Sequence, residues 1–183
     1  MSFDSIPSFS LKAIKRLDAS TVDNLTKALS LHGFFTITDH EISDDVLNSS
    51  YLKSKEFFAL SESNKIKYAH PEIAGARGYT PFGKETALGE TVADLKEFWH
   101  HGPSVNDTFD PRIASNISVT EIPDFNCQFD RLFTNLNDLG CEVLKAIAVI
   151  LGKEKNFFNA WVEKGNSILR LIHYPPVKDQ SNS

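Results

Sequence analysis

The chain has 183 residues, 41% of them hydrophobic and 23% charged, with a formal net charge of −5 and a pI near 5.7. That balance, with no Lys/Arg cluster or basic stripe, argues against a nucleic-acid surface. No apolar run approaches the ~20 residues of a membrane span, and the start Met1-Ser-Phe-Asp-Ser-Ile lacks the basic-then-apolar pattern of a secretory signal. The expectation is therefore a cytoplasmic protein of about one domain, with no membrane and no nucleic-acid partner. Its fourteen Phe residues suggest a core built on aromatic packing. Cys127 and Cys141 read as reduced thiols, since a lone pair offers no zinc-site spacing.

In chain order, residues 3–9 give a short extended segment around Ile6-Pro7. Ser20 is a candidate N-cap for a helix with Val22, Leu25 and Leu29 on one face, and Gly33 sits where a C-terminal glycine belongs. Phe34–Thr38 reads as a buried strand. Ser43 can cap a helix carrying Val46, Leu47, Ser50, Tyr51, Ser54 and Phe57-Phe58, and Ser61 begins a shorter one through Lys67. Glycines and prolines then punctuate residues 70–120, leaving a half-exposed strand at Leu95–His100 among loops. The longest periodic signal follows: Phe125, Phe129, Leu132, Leu136, Leu139, Val143 and Ile147, closed by Gly152. It predicts one helix of roughly seven turns whose stripe packs on a sheet containing Ser167–Tyr174. A short helix lies around Phe157-Phe158-Trp161, and Pro175-Pro176 end the last strand. The order predicts an α+β fold whose sheet is only begun.

Three segments carry a resemblance: Gly33-Phe-Phe-Thr-Ile-Thr-Asp-His40, Arg77-Gly-Tyr-Thr-Pro-Phe-Gly-Lys-Glu85 and Asn166-Ser-Ile-Leu-Arg-Leu-Ile-His-Tyr-Pro-Pro176. With Asp94-Leu-Lys-Glu-Phe-Trp99 between them, the chain resembles the isopenicillin N synthase-like family of non-haem iron(II), mostly 2-oxoglutarate-dependent, oxygenases, and its bacterial branch in particular. The resemblance runs from about Ile6 to Pro176. It implies a helical N-terminal region over 1–123, then a long core helix and the first strand of a double-stranded β-helix, or jelly roll, over 124–183. At Asp39-His40-Glu41 the family's usual glycine is replaced by Glu41.

Such oxygenases hold iron(II) with two histidines and one carboxylate. The family places these ligands shortly after the Tyr-Pro-Pro segment, and an Arg-x-Ser pair for 2-oxoglutarate beyond them. Only His70-Pro71-Glu72 has the His-x-Glu spacing here, in a loop far upstream, where chance explains it better. His100 and His101 would point to opposite faces of a strand. The reading is thus the N-terminal part of an oxygenase that oxidises a small molecule with molecular oxygen, by hydroxylation, desaturation or ring closure. Iron(II) and 2-oxoglutarate belong to the full-length parent, and no catalytic or metal-ligating residue is assigned to this piece, which is expected to be inactive alone.

On the last strand, alternation puts Ile168, Arg170, Ile172 and Tyr174 on one face and Leu169, Leu171 and His173 on the other. By resemblance the first face looks into the cavity, where Tyr174 contacts co-substrate or substrate and Arg170 contacts substrate. The alternative is an ordinary edge-strand tyrosine and a structural arginine. Arg77 stands in a glycine-flanked loop that borders the substrate opening in the family, and a guanidinium suits a substrate carboxylate. Its alternative is a surface arginine paired with Glu85 or Glu90. Two other readings remain: a non-catalytic helical interaction module, and an unrelated metal site from His70, Glu72 and His100. An unfinished sheet would leave a free edge through which the chain self-associates.

Overall fold

The computed structural model describes residues 5–86, 89 and 91–176. These form an α+β chain that divides into two compact units, the described residues of 5–43 with 135–165 and those of 44–134 with 166–176.

The first unit begins with β1 (Ser8–Ser10), which pairs in parallel with β2 (Thr36–Thr38). Between them lie α1 (Leu11–Arg16) and α2 (Ala19–His32). Ser10 caps α1 by accepting from the Ala13 N–H, 3.2 Å away. Asp18, not Ser20, caps α2: its carboxylate accepts from the Thr21 N–H at 2.9 Å and from the Ser20 and Thr21 hydroxyls. Those bonds hold the Asp18 carboxyl far below its ordinary value, the Thr21 backbone contributing most. Gly33 closes α2 at φ +76°, its N–H bonding the Leu29 carbonyl. The expected buried strand at 34–38 shortens to β2, and Phe34 is exposed. The unit's core joins Ile14, Leu25 and Ala146, with Phe9, Phe35, Ile37 and Ile150 against them.

The second unit opens with α3 (Asp44–Phe58) and α4 (Glu62–Lys65), which runs into 3₁₀ turns at Ile66–Tyr68 and Pro71–Ile73. Its sheet is antiparallel: β3 (Gly78–Thr80), β4 (Glu97–His101) and β5 (Leu169–His173), in that order. Tyr79 opposes Trp99, and Trp99 opposes Leu171, so these share one face. That face meets α5 (Phe125–Ile150): Trp99 and Phe125 rings are 5.1 Å apart, and Phe125 and Phe129 4.7 Å. Phe57 of α3 sits in the same cluster, touching Tyr68, Tyr79, Trp99 and Phe125 edgewise or tilted. The composition points to such an aromatic core, and edge-to-face packing of this kind adds to the area buried.

Two sequence expectations are corrected. In place of a half-exposed strand, all five residues of β4 are buried. Nor does the stripe of α5 pack as a whole on the sheet of β5. Phe125, Phe129 and Leu132 belong to that unit, but Leu136, Leu139, Val143 and Ile147 belong to the first, where Ala146 and Ile150 meet Ile14 and Leu25. A helix of 26 residues is longer than the sheet it would cover, so one stripe serves two cores. α6 (Asn159–Val162) follows α5.

Candidate functional site

The alternation of β4 sorts its side chains into two environments. Glu97, Trp99 and His101 point to the helix face; Phe98 and His100 point to the other, together with Thr80 of β3 and Arg170 and Ile172 of β5, their cross-strand partners. On this second face lies a cavity of about 640 Å³. Phe98, His100, Arg170 and Thr80 form its floor, and the segments around His70-Pro71, Ala74-Gly75 and Lys84-Glu85 form its sides.

Arg170 is the floor's charged group. Its guanidinium lies 4.2 Å over the Phe98 ring, its Nε–H donates to His100 Nε2 at 2.7 Å, and its Nη1 is 3.2 Å from Glu85. Glu85 is also held by Lys96 at 2.7 Å, and Lys96 by Asp94 at the same distance. The Lys96 hydrogen bond, more than Arg170, holds the Glu85 carboxyl below its ordinary value. His100 is pinned on its other side by the Gly75 carbonyl, 2.7 Å from Nδ1. Burial pushes its imidazole below the ordinary histidine value, and the Arg170 charge adds to this.

Beneath the floor, on the helix face, Glu97 is 3% exposed. It accepts from Lys65 Nζ at 2.6 Å, from the Tyr79 hydroxyl, and pairs with His173 Nδ1 at 2.7 Å. Burial would raise its carboxyl, but those three partners outweigh burial and hold it below its ordinary value. Burial pushes the Tyr79 phenol far up. His173 also stacks on Phe58 at 5.1 Å. His101 bonds Asp130 at 2.8 Å, while its Nδ1 has no hydrogen-bond partner among the described residues; burial pushes its imidazole down.

Of the residues singled out in the sequence, Arg170 lies in the cavity floor. Tyr174 stands just past the end of β5, 67% exposed, outside the cavity lining. Arg77 is corrected. It is neither at an opening nor paired with Glu85, but fully buried, with Nη2 donating to Asn166 at 2.6 Å and Nη1 to the Ala76 carbonyl. Glu90, the other partner weighed for it, lies outside the described residues. The Arg77 guanidinium lies where Gly102 has no side chain; a Cβ there would collide with it. Flanking glycines that suggest an exposed turn instead allow a buried one. Burial pushes the guanidinium below its ordinary value, and its Nε has no hydrogen-bond partner among the described residues. Sequence reading missed the cluster of His100, Glu85 and Lys96 around Arg170. Alternation in β4 is legible, but the register that sets His100 beside Arg170 spans 70 positions.

Iron(II) does not fit the described residues. Among them no group of three or more His, Cys, Asp or Glu is close enough to hold a metal ion. His70 is paired with Glu72 near the surface, both ring nitrogens of His100 are engaged within the protein, and His101 faces away toward Asp130. The trio of His70, Glu72 and His100 is thus not assembled. No helix among the described residues is long and apolar enough to cross a membrane.

Comparison with known proteins agrees with this architecture. A proline hydroxylase, buaE, of Petromyces alliaceus is 33% identical over 163 residues, covering 85% of this chain and 50% of its own length. A 2-oxoglutarate-Fe(II) type oxidoreductase, ppzD, of Metarhizium rileyi is 30% identical, covering 86% of this chain and 47% of its own. The chain spans about half the length of the curated relatives it matches. Among solved structures, a 2OG-Fe(II) oxygenase family protein from Caulobacter crescentus superimposes with a TM-score of 0.79 at 35% identity, over 98% of this chain and 59% of that one. A full-length Neurospora crassa protein, solved in complex with alpha-KG, gives 0.77 at 25% identity, over 98% and 57%. A family model described as the N-terminal region of the non-haem dioxygenase in morphine synthesis matches residues 6–120, and the chain therefore belongs to the non-haem dioxygenase family.

Proposed function

We propose that this chain is the N-terminal part of an iron(II), 2-oxoglutarate-dependent oxygenase acting on a small molecule, and that the face of β3–β4–β5 bearing Phe98, His100 and Arg170 is one wall of its substrate chamber. The observation that carries the reading is the cavity on that face, with a half-exposed guanidinium on its floor, in a chain whose relatives include 2-oxoglutarate-Fe(II) type oxidoreductases. Arg170 contacts substrate. Tyr174, two steps beyond Arg170 in the same alternation, offers a phenolic O–H to a carboxylate of the co-substrate or substrate. The described residues assemble no iron-ligand group, and on this reading the ligands and the Arg-x-Ser grip on 2-oxoglutarate belong to the half of the relatives' length that the chain does not span. The bound iron and 2-oxoglutarate would supply the oxidising power; the residues present here bind and orient the substrate and keep one side of the chamber dry. Hydroxylation, desaturation and ring closure are all compatible with such a wall.

Two measurements test this. The isolated chain, titrated anaerobically with iron(II) or cobalt(II), is expected to show no stoichiometric site of micromolar affinity and no 2-oxoglutarate turnover. The same chain extended by a downstream segment containing His-x-Asp and a second histidine is expected to consume 2-oxoglutarate. A tight stoichiometric site on the isolated chain, or an extended protein that binds iron yet never consumes 2-oxoglutarate, overturns the proposal.

A further inference from the structure

We infer that His100 is a positioning residue, held neutral with its proton on Nδ1, that aims the Arg170 guanidinium to take the carboxylate of a small-molecule ligand in the cavity. The inference rests on the reading of that cavity as a substrate chamber and adds the ligand's chemical class and the residue that sets its receptor.

The tautomer follows from the two partners. The Gly75 carbonyl can only accept, so the Nδ1 beside it, 2.7 Å away, carries the hydrogen. A guanidinium N–H can only donate, so Nε2, 2.7 Å from Arg170 Nε, is bare. A proton on Nε2 would set two N–H groups against each other and place two cations in contact. The groups facing the ring agree: burial opposes the charged form, Arg170 and Arg77 disfavour it, and Glu85 favours it. His70 and Lys84 line the same cavity.

The consequence for Arg170 is geometric. Its Nε–H is fixed by His100, its plane by the Phe98 ring 4.2 Å below, and one Nη1 hydrogen by Glu85. Among the described residues neither Nη2 hydrogen has a partner, so with the second Nη1 hydrogen three are left for a ligand on the edge away from Nε. That edge matches a carboxylate bidentately. Glu85 does not satisfy the guanidinium, because it is shared with Lys96, which holds it at 2.7 Å. Free rotation of Arg170 is removed before any ligand arrives, which lowers the entropy cost of binding.

The test uses the full chain, without iron or turnover. Ring-nitrogen NMR of the ¹⁵N-labelled protein at pH 7 is expected to show His100 neutral with the hydrogen on Nδ1. Acetate, followed at the Arg170 Nε–H signal, is expected to bind saturably, and methylammonium not at all. His100→Ala is expected to weaken acetate roughly 10-fold, the worth of one hydrogen bond to a charged group. His100→Gln, whose amide oxygen can replace Nε2 as acceptor, is expected to restore affinity to within about 3-fold. An imidazolium or an Nε2–H tautomer at pH 7, unchanged acetate affinity in His100→Ala, or preferential methylammonium binding overturns the inference. Should His100→Ala fail to fold, a His100→Gln protein that folds yet binds acetate as weakly as Arg170→Gln does the same. Loss of 2-oxoglutarate turnover in the extended protein would refute the oxygenase reading while leaving this result standing.

Discussion

Replacing Glu97 by Gln removes one charge from the most buried ion pair in the described structure. The pair joins Lys65, with a side chain 9% exposed, to Glu97 at 4%. After the substitution, among the described residues, Lys65 keeps one carboxylate, Glu62, 3.6 Å away on a side chain 65% exposed, and the Tyr79 ring 5.4 Å away. A pair with so exposed a partner is worth at most about 1 kcal/mol. Breaking a buried pair by removing one partner costs about 3–5 kcal/mol, because the other charge stays buried without compensation. Tyr79 and His173 lose their ionised acceptor in the same step. With a urea m-value of about 2 kcal/mol/M, the midpoint should fall by about 1.5–2.5 M. Trp99, fully buried beside this network, reports the transition by fluorescence in a Trp161→Phe background. Combining Glu97→Gln with Lys65→Met should recover at least half the loss, since it removes the buried charge that the single substitution leaves uncompensated. A single substitution costing under about 1 kcal/mol, or a double variant worse than the single, would refute the reasoning.

Other outcomes follow from the same packing. His100 and His101 both have folded values below 6.5, so the unfolded chain takes up their protons first; stability should be fully present above pH 6.5 and decline below it, with a shallower slope in His101→Gln. A urea midpoint unchanged down to about pH 5 would contradict this. Phe57→Ala should cost about 3–5 kcal/mol by denaturant titration, as it empties the centre of the aromatic cluster. Gly78→Ala should cost more than about 1 kcal/mol, because φ is +81° and the new Cβ would meet the Tyr68 carbonyl; a neutral effect would show that the start of β3 relaxes freely. Among the described residues β5 pairs only with β4, and Ile168, Ile172 and Tyr174 are exposed, so sedimentation of the chain alone should show concentration-dependent association through that edge.

What the sequence reveals and what it hides divide by range. Periods of two and of 3.6 residues are local, and they mark β5, the long helix and the opposite facing of His100 and His101. Caps are nearly local: Gly33 is legible, whereas Ser20 draws attention from Asp18 because both are good caps two positions apart. Pairings across tens of residues are not legible. Nothing in Arg77-Gly-Tyr tells that Asn166, 89 positions on, will bury the arginine, and nothing in Leu-Lys-Glu97 tells that Lys65 and His173 will surround it. Nor does a continuous stripe reveal that Phe129 and Ala146 of one helix will join different cores.

The complete burial of β4 makes it a partition whose two sides do unlike work, one residue after the next. A substitution scan along Glu97–His101 should therefore read as a beat: every second position felt in melting temperature, the positions between felt more in ligand affinity. Shifting the strand by one residue would carry the carboxylate of Glu97 to the cavity side and the Phe98 ring to the helix side. Residues inserted in the loops around this strand should thus be tolerated far better than a residue added or removed within it.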